Sequence, residues 1–526
     1  MQVSQKWHLP PTWLRFLIVI LLVLGIFFRL GNIDRKLYWN DEVYTSLRVS
    51  GYTLKEMDEQ LRTGSLLSIE DLHKYQYPNL EKNTIDTIRG LALEESQLTP
   101  LYFVMVRWWV ELFGNSVAVT RSFSALISLL TFPCIYWLCQ ELFKSSLIGW
   151  LAIALVAISP VHYLYAQEAR PYSLWIVTVL ASSAALLRAM RLKKKVNWCI
   201  YTATLSLGFY TQLFFSLVAI AQGIYVFAIE RFRLSKTFII YLLSLLAGVL
   251  ICIPWLLVMI TNPTPPGMVN WTNTKQTVFA SATRWAGIVS RAFLDLGISH
   301  SDSGKLKFAL IPLILLVLAL IIYSIYFLCR SSSKRVWLFV LTLIASIGLP
   351  LILVDFILGK RYGTTRYILP SILGIELAVA YLIGTKITSV DTNSWQKKLW
   401  SLVGFLVITS GVVSCTLSSQ SKMWWDKLPE LYQEYPKIAD IINQANKPLV
   451  ISDSEIISLQ ILSHSLDPKV RFQIVAQPQI PKKADGFTDI FLFKPSDSLK
   501  AGIEQVYTSK LNTLYPLLWK LTNKET

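Results

Sequence analysis

The chain has 526 residues, of which 53% are hydrophobic and only 16% charged, with a mean hydropathy of +0.46. A soluble protein carries about 25% charged residues, so a water-soluble globular class is excluded. The net charge of +17 does not mark a nucleic-acid binder. The basic residues gather between apolar segments, where they set membrane topology.

Apolar segments long enough to cross a bilayer recur along the first 420 positions;. Eleven spans are predicted, at 13–30, 119–142, 146–166, 172–190, 197–211, 213–230, 237–260, 306–328, 335–358, 366–387 and 399–419. Unbroken apolar runs of this length must be helices, because lipid offers the backbone no hydrogen-bond partner. The first lacks a small-residue cleavage site and reads as a retained anchor;. The six cysteines (Cys134, Cys139, Cys199, Cys252, Cys329 and Cys415) fall inside apolar segments at no disulfide or zinc spacing;.

Charge decides the orientation. Lys144, Arg188, Arg191, Lys193 to Lys195, Arg231, Arg233, Lys236, Arg330, Lys334, Arg335, Lys386, Lys397 and Lys398 all fall on one side, with Lys6 and Arg15. That side is expected to be the cytoplasm, with the N-terminus inside and the C-terminal segment outside. The stretch "LTPLYFVMVRWWVELFG" (98–114) is apolar but interrupted by Arg107 and Glu111. A span there would invert every later helix, so it is expected to lie flat in the outer interface, with Thr99 as N-cap and Pro100 at the first helical position.

Two water-exposed regions are expected on the outer side: the loop 31–118 and the tail 420–526. In the tail "KPLVISD", "RFQIV" and "DIFLFK" read as strands between helical stretches at 430–446 and 498–521. The predicted fold class is thus an all-α polytopic membrane domain (1–419) with a small extracytoplasmic α/β domain (420–526). Trp424 and Trp425, just past the last span, read as interfacial anchors.

The outer surface carries charges that the positive-inside bias does not explain. Glu168 and Arg170 stand at a helix mouth in "YAQEARPYSLW", and Lys360, Arg361 and Arg366 crowd another in "LGKRYGTTRYILP". They could snorkel to lipid head groups, or they could bind an anion with help from the helix N-termini behind them. In the first outer loop, "LYWNDEVYTSL" sets Asp41 and Glu42 side by side. Alone the pair fits a solvated helix start; beside a basic phosphate site, a carboxylate there can serve as general base. Tyr38, Trp39 and Tyr44 could stack on sugar faces or belong to an aromatic belt.

Three of these stretches together, "NDEVYTSL", "TPLYFVMVRWWVELFGNSVAVTRSFSAL" and "SPVHYLYAQEARPYSLW", with "RYILP" as a weaker fourth, resemble the GT-C membrane glycosyltransferases. The resemblance is to the protein-mannosyltransferase-like group, which includes bacterial aminoarabinose and galacturonic-acid transferases acting on lipid A. It implies a multi-pass enzyme of the cell membrane with an extracytoplasmic active site. The donor would be a polyprenyl-phosphate-linked sugar; the acceptor a lipid, glycan or protein. By the same resemblance Asp41 is the catalytic acid of the first loop, with Glu42 beside it. Glu168, Arg170 and Tyr172 belong to the second outer motif, and Arg366, with Tyr367 beside it in the weaker fourth stretch, serves the donor phosphate; on the charge reading above, Arg361 or Lys360 would help hold it. Gln97 to Pro100 lacks the family's usual histidine. The expected chemistry is inverting transfer from a single phosphate, for which a divalent metal is possible but not required.

Glu376, mid-depth in the tenth span, opens an alternative: a proton-coupled secondary transporter or lipid flippase. His162 reads as a packing histidine.

Overall fold

The computed structural model describes residues 12–263, 274–298, 304–388, 393–424, 427 and 432–523. Lys6 and Trp425 lie outside these residues. The chain begins with α1 (Thr12–Leu30) and then builds the first loop from α2 (Asn40–Ser50), α3 (Leu54–Leu61), β1 (Thr63–Leu67), α4 (Ile69–His73), α5 (Thr84–Glu94) and α6 (Leu101–Phe113). The bundle continues with α7 (Val117–Leu129), α8 (Thr131–Leu142), α9 (Ser146–Ala157), α10 (Pro160–Ala166), α11 (Tyr172–Leu192), α12 (Lys195–Phe209) and α13 (Phe215–Ile229). It closes with α14 (Lys236–Thr261), α15 (Val278–Ser290), α16 (Gly304–Ser331), α17 (Lys334–Leu358), α18 (Leu369–Thr388) and α19 (Ser394–Gln420). The tail comprises α20 (Tyr435–Gln444), β2 (Pro448–Ser452), α21 (Ile456–Ser463), β3 (Arg471–Val475), β4 (Asp489–Phe493), α22 (Asp497–Val506), β5 (Ser509–Tyr515) and β6 (Leu518–Asn523).

Helices occupy all eleven predicted spans, but not all meet a spanning length. Among the described residues seven are long and apolar enough to cross a membrane, or eight if α9 and α10, bent by 61°, form one span. The α12 and α13 helices have 15 residues each, roughly 22 Å of rise, short of a hydrocarbon core of about 30 Å;. The chain is a multi-pass membrane protein. The α15 helix, between α14 and α16, was not expected.

The bend follows from Pro160, which has no N–H to continue the α9 ladder;. It orphans carbonyls inside the bundle, and Arg29 answers two of them, donating to Ala157 O at 2.7 Å and Val156 O at 3.0 Å;. Cys415 Sγ donates to Ile158 O at 3.3 Å. A Cβ on Gly25 would sit 2.8 Å from Ala157 O, and one on Gly411 2.7 Å from Ile158 O, so both glycines let α1 and α19 close on the break;.

The α6 helix is short, 13 residues, and begins one residue later than read, at Leu101; Pro100 occupies the cap position, and among the described residues the Thr99 hydroxyl is buried without a partner;. Arg107, which interrupts its apolar run, pairs with Glu111 at 2.7 Å and donates to Val49 O, Ser50 O and Lys82 O. It clamps the end of α2 against the loop.

In the tail the three predicted strands are β2, β3 and β4, with β2 parallel to both neighbours. The expected helix at 498–521 is corrected: α22 stops at Val506 and a β5–β6 hairpin follows. Pro516 cannot continue a helix, and it sits in the turn between the two strands, which pair antiparallel from Ser509↔Asn523 to Tyr515↔Leu518;. The sheet order is β1-β3-β2-β4-β6-β5, so a strand of the first loop completes the tail's sheet at one edge. Arg62, just past α3, donates to Asp453 O and Ser454 O just beyond β2 and to Val475 O at the end of β3. Loop and tail share one hydrophobic core, to which α2 contributes Val43 and Leu47 and α21 contributes Ile457 and Ile461.

Candidate active site

The α2 helix begins where Trp39 turns extended and the Glu42 carboxylate accepts the Trp39 N–H; it ends at Gly51, whose φ of 91° suits only glycine without strain;. Arg48 at its last turn pairs with Glu94 and Glu95, both at 2.7 Å, tying α2 to the end of α5. On this fixed rod Asp41 and Glu42 are neighbours in sequence, and consecutive helical residues point roughly 100° apart. They face different environments.

Glu42 is fully buried. Arg121 of α7 grips it through two bonds, Nε to Oε1 at 2.7 Å and Nη2 to Oε2 at 2.6 Å, and the Ala169 N–H donates to it at 3.0 Å. The same guanidinium donates to Ile33 O, Lys36 O and Leu37 O, so the 33–37 linker is wrapped around the pair. This corrects the reading of Glu42 as a catalytic residue: its oxygens are committed to holding α2, the linker and α7 together. Trp424 is corrected as well. It is 2% exposed rather than an interfacial anchor, donates to Leu37 O at 2.8 Å and lies under Arg121.

Asp41 instead faces the mouth between α2 and the start of α18. Its Oδ2 accepts from Arg366 Nη1 at 2.5 Å, and the two side chains are 21% and 16% exposed. Arg366 sits in the turn before α18, over the Tyr367 ring, which packs on Phe214. Arg170 donates to Thr45 Oγ1 at 3.2 Å and reaches the Asp41 carbonyl at 3.4 Å. Tyr172 is buried edge-on to Tyr165. Glu168 is buried and accepts from Lys427 Nζ at 2.9 Å; the ammonium also lies over Trp39 and Tyr165. Lys360 and Arg361 are half-buried on the segment leading to Arg366.

The electrostatics separate the two acids of the mouth. Burial pushes the Asp41 carboxyl up, but Arg366, Arg170 and Lys427 together outweigh it and hold the group below the usual carboxylate range;. For Glu168 burial wins over Lys427, with Glu42 and Asp41 adding to it, and the carboxyl is pushed up to about 7. Among the described residues, three buried polar atoms around Asp41 have no hydrogen-bond partner: Arg170 Nε, Glu168 Oε1 and Trp39 Nε1. Buried polar groups are ordinarily paired, so these three atoms leave hydrogen-bonding capacity that a polar ligand can take up.

Sequence reading therefore found Asp41, Glu168, Arg170, Tyr172, Arg366 and Tyr367, which the fold gathers at one mouth. It missed Lys427 and Arg121. Lys427 follows the last span in an undistinguished stretch, and no local signal marks it. Arg121 sits in an otherwise apolar span, where a charge signals an interior partner. Glu376 and His162 pair with each other at 2.9 Å, both under 5% exposed. Among the described residues no group of three or more His, Cys, Asp or Glu side chains is placed to hold a metal ion.

Residues 97–257, well under half of the chain, match the family model of dolichyl-phosphate-mannose-protein mannosyltransferase. That segment contains both the "TPLYFVMVRWW" and the "YAQEARPYSLW" stretches. Among solved structures, ArnT from Cupriavidus metallidurans bound to undecaprenyl phosphate matches 98% of this chain and 99% of its own, with a TM-score of 0.52 and 13% identity. The oligosaccharyltransferase of Archaeoglobus fulgidus in the apo form matches 90% of this chain and 65% of its own, with a TM-score of 0.49 and 13% identity. No curated protein matches the chain. At 13% identity the likeness to ArnT is one of fold: the chain has the GT-C membrane fold that its sequence led us to expect.

Proposed function

We propose that the protein is a membrane glycosyltransferase that moves a sugar from a polyprenyl-phosphate donor to an extracytoplasmic acceptor with inversion at the anomeric carbon. One observation carries this reading: the Asp41–Arg366 pair at the mouth between α2 and α18, ringed by Arg170, Lys427 and partnerless polar atoms. A carboxylate and a cluster of cations share one mouth. The ArnT of similar fold is bound to a lipid of this class, undecaprenyl phosphate.

In the reaction the acceptor O–H or N–H gives its proton to Asp41 as its heteroatom forms a bond to the anomeric carbon. The bond from that carbon to the phosphate oxygen breaks on the opposite face, and its electron pair leaves with the polyprenyl phosphate. Arg366 and Arg170 stabilise the phosphate, Arg being able to hold two of its oxygens at once. Before the donor arrives Arg366 holds Asp41 ionised and weakly basic. An incoming phosphate competes for Arg366, so donor binding strengthens the base at the moment it is needed. The leaving group is a monophosphate whose charge protein cations can meet, so this mechanism routes no step through a metal.

We place the N-terminus in the cytoplasm and this mouth outside, in the cell membrane. Reporter fusions after Lys195 and Ser419 should report opposite sides; the same side for both would reverse part of the topology. Incubating the purified protein with a panel of polyprenyl-phosphate sugars and lipid, glycan and peptide acceptors tests the activity. Release of polyprenyl phosphate with an inverted product linkage is expected. No release from any donor would remove the assignment. The transporter reading loses its main support, since Glu376 pairs with His162 in the packed interior.

A further inference from the structure

The segment 359–366 connects two membrane helices without regular structure, yet it must aim Arg366 at Asp41. A polar loop of this kind needs partners for its backbone groups. Several of them come from one carboxylate. Asp355, one turn before the end of α17, is fully buried. Its Oδ1 accepts the Tyr362 N–H at 2.6 Å, and its Oδ2 accepts the Gly363 N–H at 3.0 Å. The same Oδ2 takes Arg284 Nη2 at 2.6 Å and Trp285 Nε1 at 3.0 Å, both from α15. Arg284 Nη1 also donates to Gly363 O, so the two charged groups hold residue 363 by its N–H and its carbonyl at once.

The fit leaves no slack. A Cβ on Gly363 would run into the Trp285 ring and come within 2.7 Å of Asp355 Oδ2. Upstream, the Gln276 N–H donates to Gly359 O at 2.8 Å. Downstream, the Tyr367 N–H donates to Thr364 O and the Ile368 N–H to Thr365 O, forming the turn that carries Arg366. Between the clamp at Gly363 and Arg366 only Thr364 and Thr365 intervene.

We propose that Asp355 and Arg284 are positioning residues for the donor-phosphate site, acting through this segment on Arg366. A buried ion pair is a poor source of net stability, because desolvation offsets its attraction, and apolar residues of similar volume do as well. What apolar residues cannot do is bind the N–H and carbonyl of a loop residue in one fixed pose. The inference rests on the reading that Arg366 holds the donor phosphate.

The test uses the full-length protein in detergent, with Asp355→Asn, Gly363→Ala, Arg366→Ala and the Asp355→Asn/Arg366→Ala double variant. Asp355→Asn is expected to raise the apparent KM for the polyprenyl-phosphate sugar about tenfold and to lower kcat as well, since Arg366 meets the phosphate both on binding and as it leaves. In the Arg366→Ala background it should add little, because the two act as one unit. Hydrogen exchange of the 362–366 amides should quicken at least about tenfold in Asp355→Asn, with the rest of the bundle unchanged. Effects on KM that multiply in the double variant, or wild-type exchange rates in Asp355→Asn, would overturn the proposal. If Asp355→Asn does not fold, Gly363→Ala, which keeps both charges, decides the same points. A wild-type protein that transfers no sugar counts against the functional reading, whereas the exchange measurement still decides the clamp.

Discussion

Two sides of α2 carry charge, and they differ in how completely that charge is answered. On the bundle side Glu42 has two bonds from Arg121 and one from Ala169, and the linker carbonyls fill the rest of the guanidinium. On the mouth side Asp41 has Arg366, remains about one-fifth exposed and is surrounded by polar atoms that lack partners. A saturated buried pair builds structure, whereas an accessible, incompletely surrounded one is available for exchange with a ligand. Adjacent identical charges in a sequence can thus belong to separate parts of a protein's chemistry.

The largest expected effect falls on the saturated side. Glu42→Gln leaves Arg121 buried without its counter-charge, which costs about 3–5 kcal/mol for pairs of this kind. The expected outcome is a large loss of thermal stability and folded yield in detergent. Normal melting with lost turnover would return Glu42 to the catalytic side and dissolve the contrast. Asp41→Asn comes next. Melting should fall far less than in Glu42→Gln, because this pair is partly exposed, while transfer falls by about 10²-fold or more, the scale for a general base;. Full turnover in that variant would end the role assigned to Asp41.

A smaller difference separates the cations. Arg366→Ala should weaken the apparent affinity for polyprenyl-phosphate sugar more than Lys360→Ala, by about tenfold if one charge-assisted contact is lost. Arg366 touches Asp41 and sits in the turn just before α18, where its charge adds to the positive end of the helix dipole;. Equal effects would move the phosphate toward the 360–361 side of the mouth.

How far the sequence carried this contrast depends on range. Apolar run length gave the bundle, and the charges Arg107 and Glu111 separated α6 from the long apolar helices; both are local or additive signals. The strands at 448–452, 471–475 and 489–493 were legible from their own residues. The hairpin at 509–523 was not, because a helical reading of 498–521 ran through Pro516. The split between Asp41 and Glu42 lay beyond reach for a different reason. It depends on Arg121, some 80 positions away, and on Arg366, more than 300 away. Lys427 and Asp355 were missed on the same ground, since each acts on a group delivered by a different part of the chain.

The smallest effect is one of pH, and it sharpens the comparison within the mouth itself. The Glu168 carboxyl is pushed up to about 7 by burial, against an ordinary value of 4.5. A group whose folded pKa is raised contributes stability that is full below the unfolded value and is lost as pH rises through the folded one. Wild-type stability should therefore fall relative to Glu168→Gln between about pH 4.5 and pH 7, with a limiting slope of about 1.4 kcal/mol per pH unit, and run parallel above that;. Asp41 has the opposite sign. Its carboxyl is depressed below 3.8, so its contribution is present above that value and disappears as pH falls through the folded pKa. Asp41→Asn should then differ from the wild type in slope only below about pH 4. Melting curves of the two variants across about pH 3 to 9 separate these windows. A wild-type curve that runs parallel to Glu168→Gln between about pH 4.5 and pH 7 and departs from it only below that would mean that Lys427 outweighs burial and keeps Glu168 ionised;. The mouth would then hold two standing carboxylates rather than one.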